Sequence, residues 1–160
     1  MDKTVYRIDD RLIHGQVIEG WVHNLGFTRI TIASDRVNND EDFKTILKFS
    51  VPVEIRVDIL DIKKLAWKIN SGYLEKEDTI ILFERPKDVL DLIDYGVHIN
   101  SVNVGCIHYE GNNCKLRKNI VVDIKDISVF NDINAMGTKL EGRALPQDKK
   151  IDVMSLIDKL

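Results

Sequence analysis

Apolar positions along this chain recur at two periods, and the switches between those periods divide it into alternating strands and helices. Val5 to Ile8 predicts a first strand. A helix from about His14 to Leu25 follows, with Val17, Ile18, Trp21, Val22 and Leu25 on one face and Gly26 as its stop. Ile30 to Ala33 is a second strand, and Glu41 to Phe49 a short helix with Phe43, Ile46 and Leu47 inward, closed by Pro52. Glu54 to Ile59 alternates as a strand, and Ile62 to Ile69 reads as the next helix, with Leu65, Ala66 and Ile69 on its apolar side. Thr79 to Phe83 is apolar throughout after Thr79, as expected of a strand covered on both faces. Pro86 opens a helix that carries Val89, Leu90, Leu92 and Ile93 and ends at Gly96.

Ile99 to Val104 predicts a further strand that ends at Gly105. Beyond a polar loop, Asn119 to Val122 is strand-like, and Asp126 to Met136 is helical with a stop at Gly137. Lys139 to Leu145 alternates like an edge strand, and Ile151 to Leu160 forms a terminal helix with Val153, Leu156, Ile157 and Leu160 inward. The expected architecture is α/β and three-layered: a mainly parallel sheet of about six to seven strands, helices on both faces and the last strand at an edge. Ligands of such folds bind beyond the carboxyl ends of the strands. Those ends are Asp9-Asp10-Arg11, Ser34-Asp35-Arg36, Glu84-Arg85 and Gly105-Cys106, all expected along one rim.

Composition narrows the class. The 160 residues fit one domain, 1–160, with no repeat, linker or low-complexity tract to mark a boundary. A net charge of -3 gives no bulk attraction for nucleic acid or anionic membranes. No apolar run approaches the ~18 residues of a membrane-spanning helix, and the N-terminus lacks the apolar core of a signal peptide. A reducing, cytoplasmic setting follows, with Cys106 and Cys114 as free thiols and no metal site expected. Neither a Gly-x-x-x-x-Gly-Lys-Ser/Thr loop nor a Gly-x-Gly-x-x-Gly turn is present, which removes the main support for a nucleotide-dependent kinase or dehydrogenase.

The chemistry concentrates after the first strand, where two carboxylates, an arginine and a histidine fall within six residues. His14 lies at a helix start, where unpaired N–H groups favour an anion. Arg11 brings a fixed charge and a fork that grips two phosphoryl oxygens. Gly15 lets another molecule approach, and Gln16 adds a neutral donor. A histidine that attacks phosphorus must be neutral with its remaining proton held, and Asp9 or Asp10 can hold it. These residues predict a nucleophilic histidine that is transiently phosphorylated. The competing reading is a surface ion-pair cluster beside a capping histidine.

The segment Arg7-Ile-Asp-Asp-Arg-Leu-Ile-His-Gly-Gln-Val17 resembles the signature of the IIB subunits of the mannose/fructose/sorbose family of the bacterial phosphoenolpyruvate:sugar phosphotransferase system. The resemblance continues through Val37 to Glu41, Ile81 to Asp88, Val102 to Gly105 and Pro146 to Asp152, and so spans nearly the whole chain. It implies that His14 takes a phosphoryl group from the phosphohistidine of a IIA protein and passes it to a sugar held by membrane IIC and IID subunits. It implies Arg11 as the phosphate-facing arginine, an Nπ-phosphohistidine–sugar phosphotransferase activity without a cofactor, and a cytoplasmic subunit associated with its transporter, with a homodimer in keeping. The chain departs from the family at Glu84-Arg85, where small or polar residues are usual, and at Cys106-Ile107, where Gly-Met or Asn-Met is common. His108-Tyr109 resembles the galactosamine-type branch.

Around this centre, Asp35, Arg36, Arg85 and His108 are candidate rim contacts for phosphate or partner, each with a surface ion pair or solvated loop as the alternative. His23 and His98 read as structural, and Trp21 and Trp67 as core. Two other functions compete: a regulatory module that keeps the fold without transfer, and a histidine phosphatase. The phosphatase ranks low because two residues separate Arg11 from His14.

Overall fold

A computed structural model describes residues 3–72, 74 and 76–160. Five parallel strands form the body of its sheet: β1 (Thr4–Asp9), β2 (Arg29–Ala33), β3 (Arg56–Leu60), β4 (Thr79–Phe83) and β5 (Ser101–His108). Their spatial order is β3-β2-β4-β1-β5, so β1 lies inside the sheet between β4 and β5. Residues alternate between the two faces of these strands. Ile30, Ile32, Ile80 and Leu82 point to one core, and Ile8, Ile81 and Phe83 to the other.

The first core is covered by the helix Gln16–His23, by α1 (Asp35–Asn38) and by α2 (Glu41–Phe49), through Val17, Ile18, Trp21, Val22, Val37 and Leu47. The second lies under α3 (Ile62–Asn70), α4 (Pro86–Asp94), α5 (Ile124–Ala135) and α6 (Val153–Ile157). This is the three-layer α/β/α arrangement that the pattern predicts. Each fully buried side chain of this size contributes roughly 1.5–3 kcal/mol. Aspartates cap the starts of α2, α3, α5 and α6, their carboxylates accepting backbone N–H groups of the first turn.

Several expectations are corrected. The sheet has nine strands among the described residues, not six to seven. β5 does not end at Gly105 but runs on to His108, because the sheet forks there. The first half of β5 pairs with β8 (Lys139–Gly142) and the second half with β7 (Ile120–Val122), which forms a hairpin with β6 (Cys114–Arg117). β8 is not an edge strand, since the two-residue β9 (Ile151–Asp152) pairs outside it, and the last helix starts only at Val153. Ile46 is 60% exposed and Trp67 68% exposed, and Leu160 is also exposed. Ile46 and Trp67 follow the helical period but lie at the margin of a stripe that the narrow layer above the sheet cannot cover.

The first helix, Gln16–His23, is π-wound, with hydrogen bonds one residue longer than those of an α-helix. The wider turn still buries Val17, Ile18, Trp21 and Val22. It also brings Gly20 so close to Leu145 that a Cβ there would lie 2.5 Å from Leu145 Cδ2.

Candidate functional site

The carboxyl ends of β1, β2, β4 and β5 share one rim, and the segment after β1 folds back over it. Leu12 makes the reversal. Its φ of 56° is left-handed, a conformation that costs a leucine roughly 1–2 kcal/mol. Its N–H donates to the Asp9 carbonyl at 2.9 Å, and its side chain is buried in the first core, which offsets the strain. The turn stacks Arg11 and His14 above Asp9.

His14 is 14% exposed and engaged through both ring nitrogens. Arg11 Nη2 lies 3.1 Å from Nδ1, and Asp9 Oδ2 lies 2.9 Å from Nε2. A guanidinium can only donate and a carboxylate only accepts. The contacts therefore select the tautomer with the proton on Nε2 and the lone pair on Nδ1. Nδ1 is thereby left with its lone pair free of hydrogen, and it faces a fixed positive charge.

Asp9 is held from beneath. Arg7, fully buried, donates from Nη2 to Asp9 Oδ2 at 2.9 Å and from Nη1 to Asn103 Oδ1 and to the Arg143 carbonyl. Its guanidinium also reaches Gln16 Oε1 at 3.3 Å and packs over the Trp21 ring at 4.9 Å. Burial by itself would raise the Asp9 carboxyl, but the hydrogen bond from His14 and the Arg7 charge outweigh it and hold the group below its ordinary value. Burial pulls Arg7 below its ordinary value, against the opposing pull of Asp9. Burial and the nearby Asp9 push the Cys106 thiol up, so it sits beside the site as a neutral thiol.

Arg7 rests on Gly105. A Cβ at Gly105 would fall 2.1 Å from Arg7 Cζ, so only glycine leaves room for the guanidinium. Gly105 is also the extra residue where the β1–β5 register slips, Ile8 pairing with Val104 and Asp9 with Cys106. Gly15 differs: its φ of -53° suits any residue, and a Cβ would meet nothing within 4 Å. Space above Gly15 is open to an incoming molecule.

The remaining predicted residues separate into two groups. Asp10 and His108 come together, His108 Nδ1 lying 3.1 Å from Asp10 Oδ1 while the His108 N–H donates to Asp10 Oδ2. With Arg11 and Arg85 they line an open cleft of about 680 Å³, whose walls also include Tyr109, Glu110 and Asp126. Asp35 and Arg36 are used elsewhere. Asp35 Oδ1 accepts the Ile62 N–H at 2.9 Å, and Arg36 forks onto Glu84 at 3.1 and 2.7 Å. Neither lines the cleft.

Sequence reading passed over Arg7, Asn103 and Arg143. The available signal was a charged residue inside a strand with a carboxylate two positions on, which places Arg7 and Asp9 on one face. Asp88, at the start of α4, carries a perturbed carboxyl that no sequence pattern signals. Burial, with Glu84 and Asp35 adding to it against the Arg85 N–H bond, raises its carboxyl to about 7. Among the described residues no group of three or more His, Cys, Asp or Glu side chains is set to hold a metal, and no helix is long and apolar enough to cross a membrane.

A parallel sheet carrying at its carboxyl rim a histidine held in one tautomer, with a lone pair turned to an arginine, defines a class of protein: one equipped for chemistry at an imidazole nitrogen. The comparisons define the family. Residues 4–160 match the family described as PTS system sorbose subfamily IIB component. The chain is 34% identical over 157 residues to the fructose-specific EIIB component of Bacillus subtilis, covering 98% of this chain and 96% of that one. It is 38% identical over 154 residues to the mannose-specific EIIAB component of Escherichia coli, covering 96% of this chain and 48% of that longer one. The crystal structure of the IIBSor domain of the sorbose permease from Klebsiella pneumoniae superposes with a TM-score of 0.90 at 32% identity, covering 99% of this chain and 98% of that one. The chain belongs to the sorbose-subfamily IIB components, the phosphocarrier subunits of sugar phosphotransferase systems.

Two expectations follow from this geometry. Gly105→Ala drives a methyl group into the Arg7 guanidinium and disrupts a buried pair, a loss of about 3–5 kcal/mol readable as a lowered urea midpoint. Asp88 gives a pH dependence. Its folded pKa of about 7 lies above the unfolded value of roughly 3.9, so the folded protein keeps the proton longer. The contribution of Asp88 to stability is fully present below the unfolded value and is lost as pH rises through the folded one. Relative to Asp88→Asn, the wild type should lose about 2–3 kcal/mol between pH 5 and pH 8 in urea titrations.

Proposed function

We propose that His14 is the phosphoryl-carrying residue of this subunit and that Nδ1 is the atom that carries the group. The observation behind this reading is the pair of contacts that fix the tautomer: Asp9 on Nε2 and Arg11 on Nδ1. Phosphoryl transfer asks little covalent chemistry of a protein beyond positioning and charge stabilisation. Asp9 aims the ring and balances the positive charge that the imidazole gains when Nδ1 bonds to phosphorus. Arg11, exposed at its outer end, turns from the free lone pair to the phosphoryl oxygens once the group arrives. The open space over Gly15 admits the donor's own histidine.

On this reading the donor is the phosphohistidine of a IIA protein or domain, and the acceptor is a sugar held by membrane IIC and IID subunits. The E. coli relative that joins A and B components in one chain supports the pairing of this fold with a IIA domain. The activity is that of a protein-Nπ-phosphohistidine–sugar phosphotransferase in a single IIB domain. It is placed in the cytoplasm against its transporter, with self-association into a dimer in keeping. The named relatives span fructose, mannose and sorbose systems, so the fold serves several sugars and the choice rests with other subunits.

Incubation with phosphoenolpyruvate, enzyme I, HPr and a IIA protein should yield one acid-labile, base-stable phosphoryl group per chain. His14→Ala should abolish it, and continued labelling of that variant would defeat the assignment. Arg11→Ala should slow loading by about 10²–10³-fold, the loss seen when one charge-stabilising donor is removed. Its unfolding free energy in urea should stay within about 0.5 kcal/mol of wild type, since the side chain is exposed.

A further inference from the structure

Two adjacent carboxylates each orient a histidine: Asp9 holds His14, and Asp10 holds His108. The His14 pair is nearly closed to solvent, whereas His108 is 53% exposed and lines the cleft beside Arg11. The reading that gives His14 the phosphoryl group uses the first pair and leaves the second without a role.

The proton balance of the two transfers supplies one. Loading moves phosphorus from one imidazole to another. One N–P bond breaks, another forms, and each ring keeps its own N–H, so no proton acceptor is needed. Delivery to a sugar is different. The hydroxyl oxygen forms an O–P bond as the N–P bond to His14 breaks, and the hydroxyl proton must leave. His14 cannot take it. Its Nε2 already carries a proton bound to Asp9, and in an in-line transfer its Nδ1 departs on the far side of phosphorus from the attacking oxygen. The base must stand on the acceptor side.

We propose that His108 is that base and that its Nε2 takes the proton of the hydroxyl that receives the phosphoryl group from His14. This rests on the assignment of His14 as the carrier. Asp10 accepts the Nδ1 proton of His108, which leaves the lone pair on Nε2. The His108 backbone N–H to the same carboxylate and the Asp10 N–H to the Cys106 carbonyl at 3.0 Å lock the pair to the end of β5. The cleft, at about 680 Å³, falls in the size range of small-molecule sites, and Arg11 bridges it to His14. The charged or titratable groups that share the cleft with His108 are Asp10, Arg11, Glu84, Arg85, Tyr109, Glu110 and Asp126. Glu84 is held by Arg36 and Asp126 by the Asp123 N–H of its capping box, so Glu110 is the competing carboxylate base.

The test separates loading from delivery. Wild type, His108→Gln and Glu110→Gln are each phosphorylated through a IIA protein. They are then chased with fructose, mannose or sorbose on vesicles carrying IIC and IID subunits. His108→Gln should load within about twofold of wild type but deliver about 10²–10⁴-fold more slowly, the usual worth of a general base. Its delivery rate should lose the wild-type pH dependence, and added imidazole should restore part of the rate in His108→Gly. Delivery by His108→Gln at the wild-type rate, or a larger loss in Glu110→Gln, would overturn the proposal. Failure of wild type to load at His14 would instead overturn the carrier assignment on which it rests.

Discussion

The buried ion pair between Arg7 and Asp9 is the constraint around which the rest of the site is arranged. Both side chains are fully excluded from solvent, a position that costs each charge several kcal/mol in lost hydration. The cost is offset by the surroundings of the two terminal nitrogens: Asn103, the Arg143 carbonyl and Gln16 accept from them alongside Asp9, and the Trp21 ring lies against the guanidinium face, while Nε stays without an acceptor. The partners come from three other places in the chain, so the pair ties β1, β5, the π-helix and the segment after β8 to one point. Asp9 then has one oxygen for Arg7 and His14 together and one for the Arg11 backbone N–H at 3.2 Å. A carboxylate so committed cannot rotate, and the imidazole inherits its rigidity.

Local strain serves the same end. The left-handed Leu12 and the widened first helix both depart from the lowest-energy backbone, and they flank His14 on either side. Each departure is sustained by burial: Leu12 in the first core, and Val17, Trp21 and Val22 along the helix. A relaxed turn and an α-wound helix would carry the histidine away from Asp9 in direction or in register. The fork of the sheet at Gly105 belongs with these features, because the bulge that makes room for Arg7 also lets β5 run on and present His108.

What sequence can convey about this molecule depends on how local the determining physics is. The strand Thr79–Phe83 and the helix Glu41–Phe49 are legible because a handful of adjacent side chains decides them. His14 and Arg11 are legible because they fall in one short segment, and so is Asp9 as a holder of the ring proton. The β6–β7 hairpin is not, since Cys114-Lys-Leu-Arg117 is short and charged and becomes a strand only by pairing with β7. Asn103 and Gly105 stand some 100 residues from Arg7, and nothing short of the β1–β5 register joins them. Asp35 and Arg36 mislead for a similar reason: their position on the rim is right, but Ile62 and Glu84 claim them.

Asp9 and Asp10 show how far position alone can separate two identical side chains. Consecutive residues leaving a strand point to opposite sides. Asp9 therefore shares the inner side with Arg7, two residues before it, and is buried and kept ionised by its partners. Asp10 falls on the outer side, part-exposed against the extension of β5, where the partner it finds is a histidine open to the cleft. One carboxylate is thus fixed to a structural cation and the other to a solvent-facing ring. The difference follows from the pleat of β1 and from the length of β5, not from the chemistry of aspartate. A one-residue slip in the β1–β5 register would exchange their surroundings and leave His14 without a charged support, which is why the bulge at Gly105 has functional weight beyond the space it clears for Arg7.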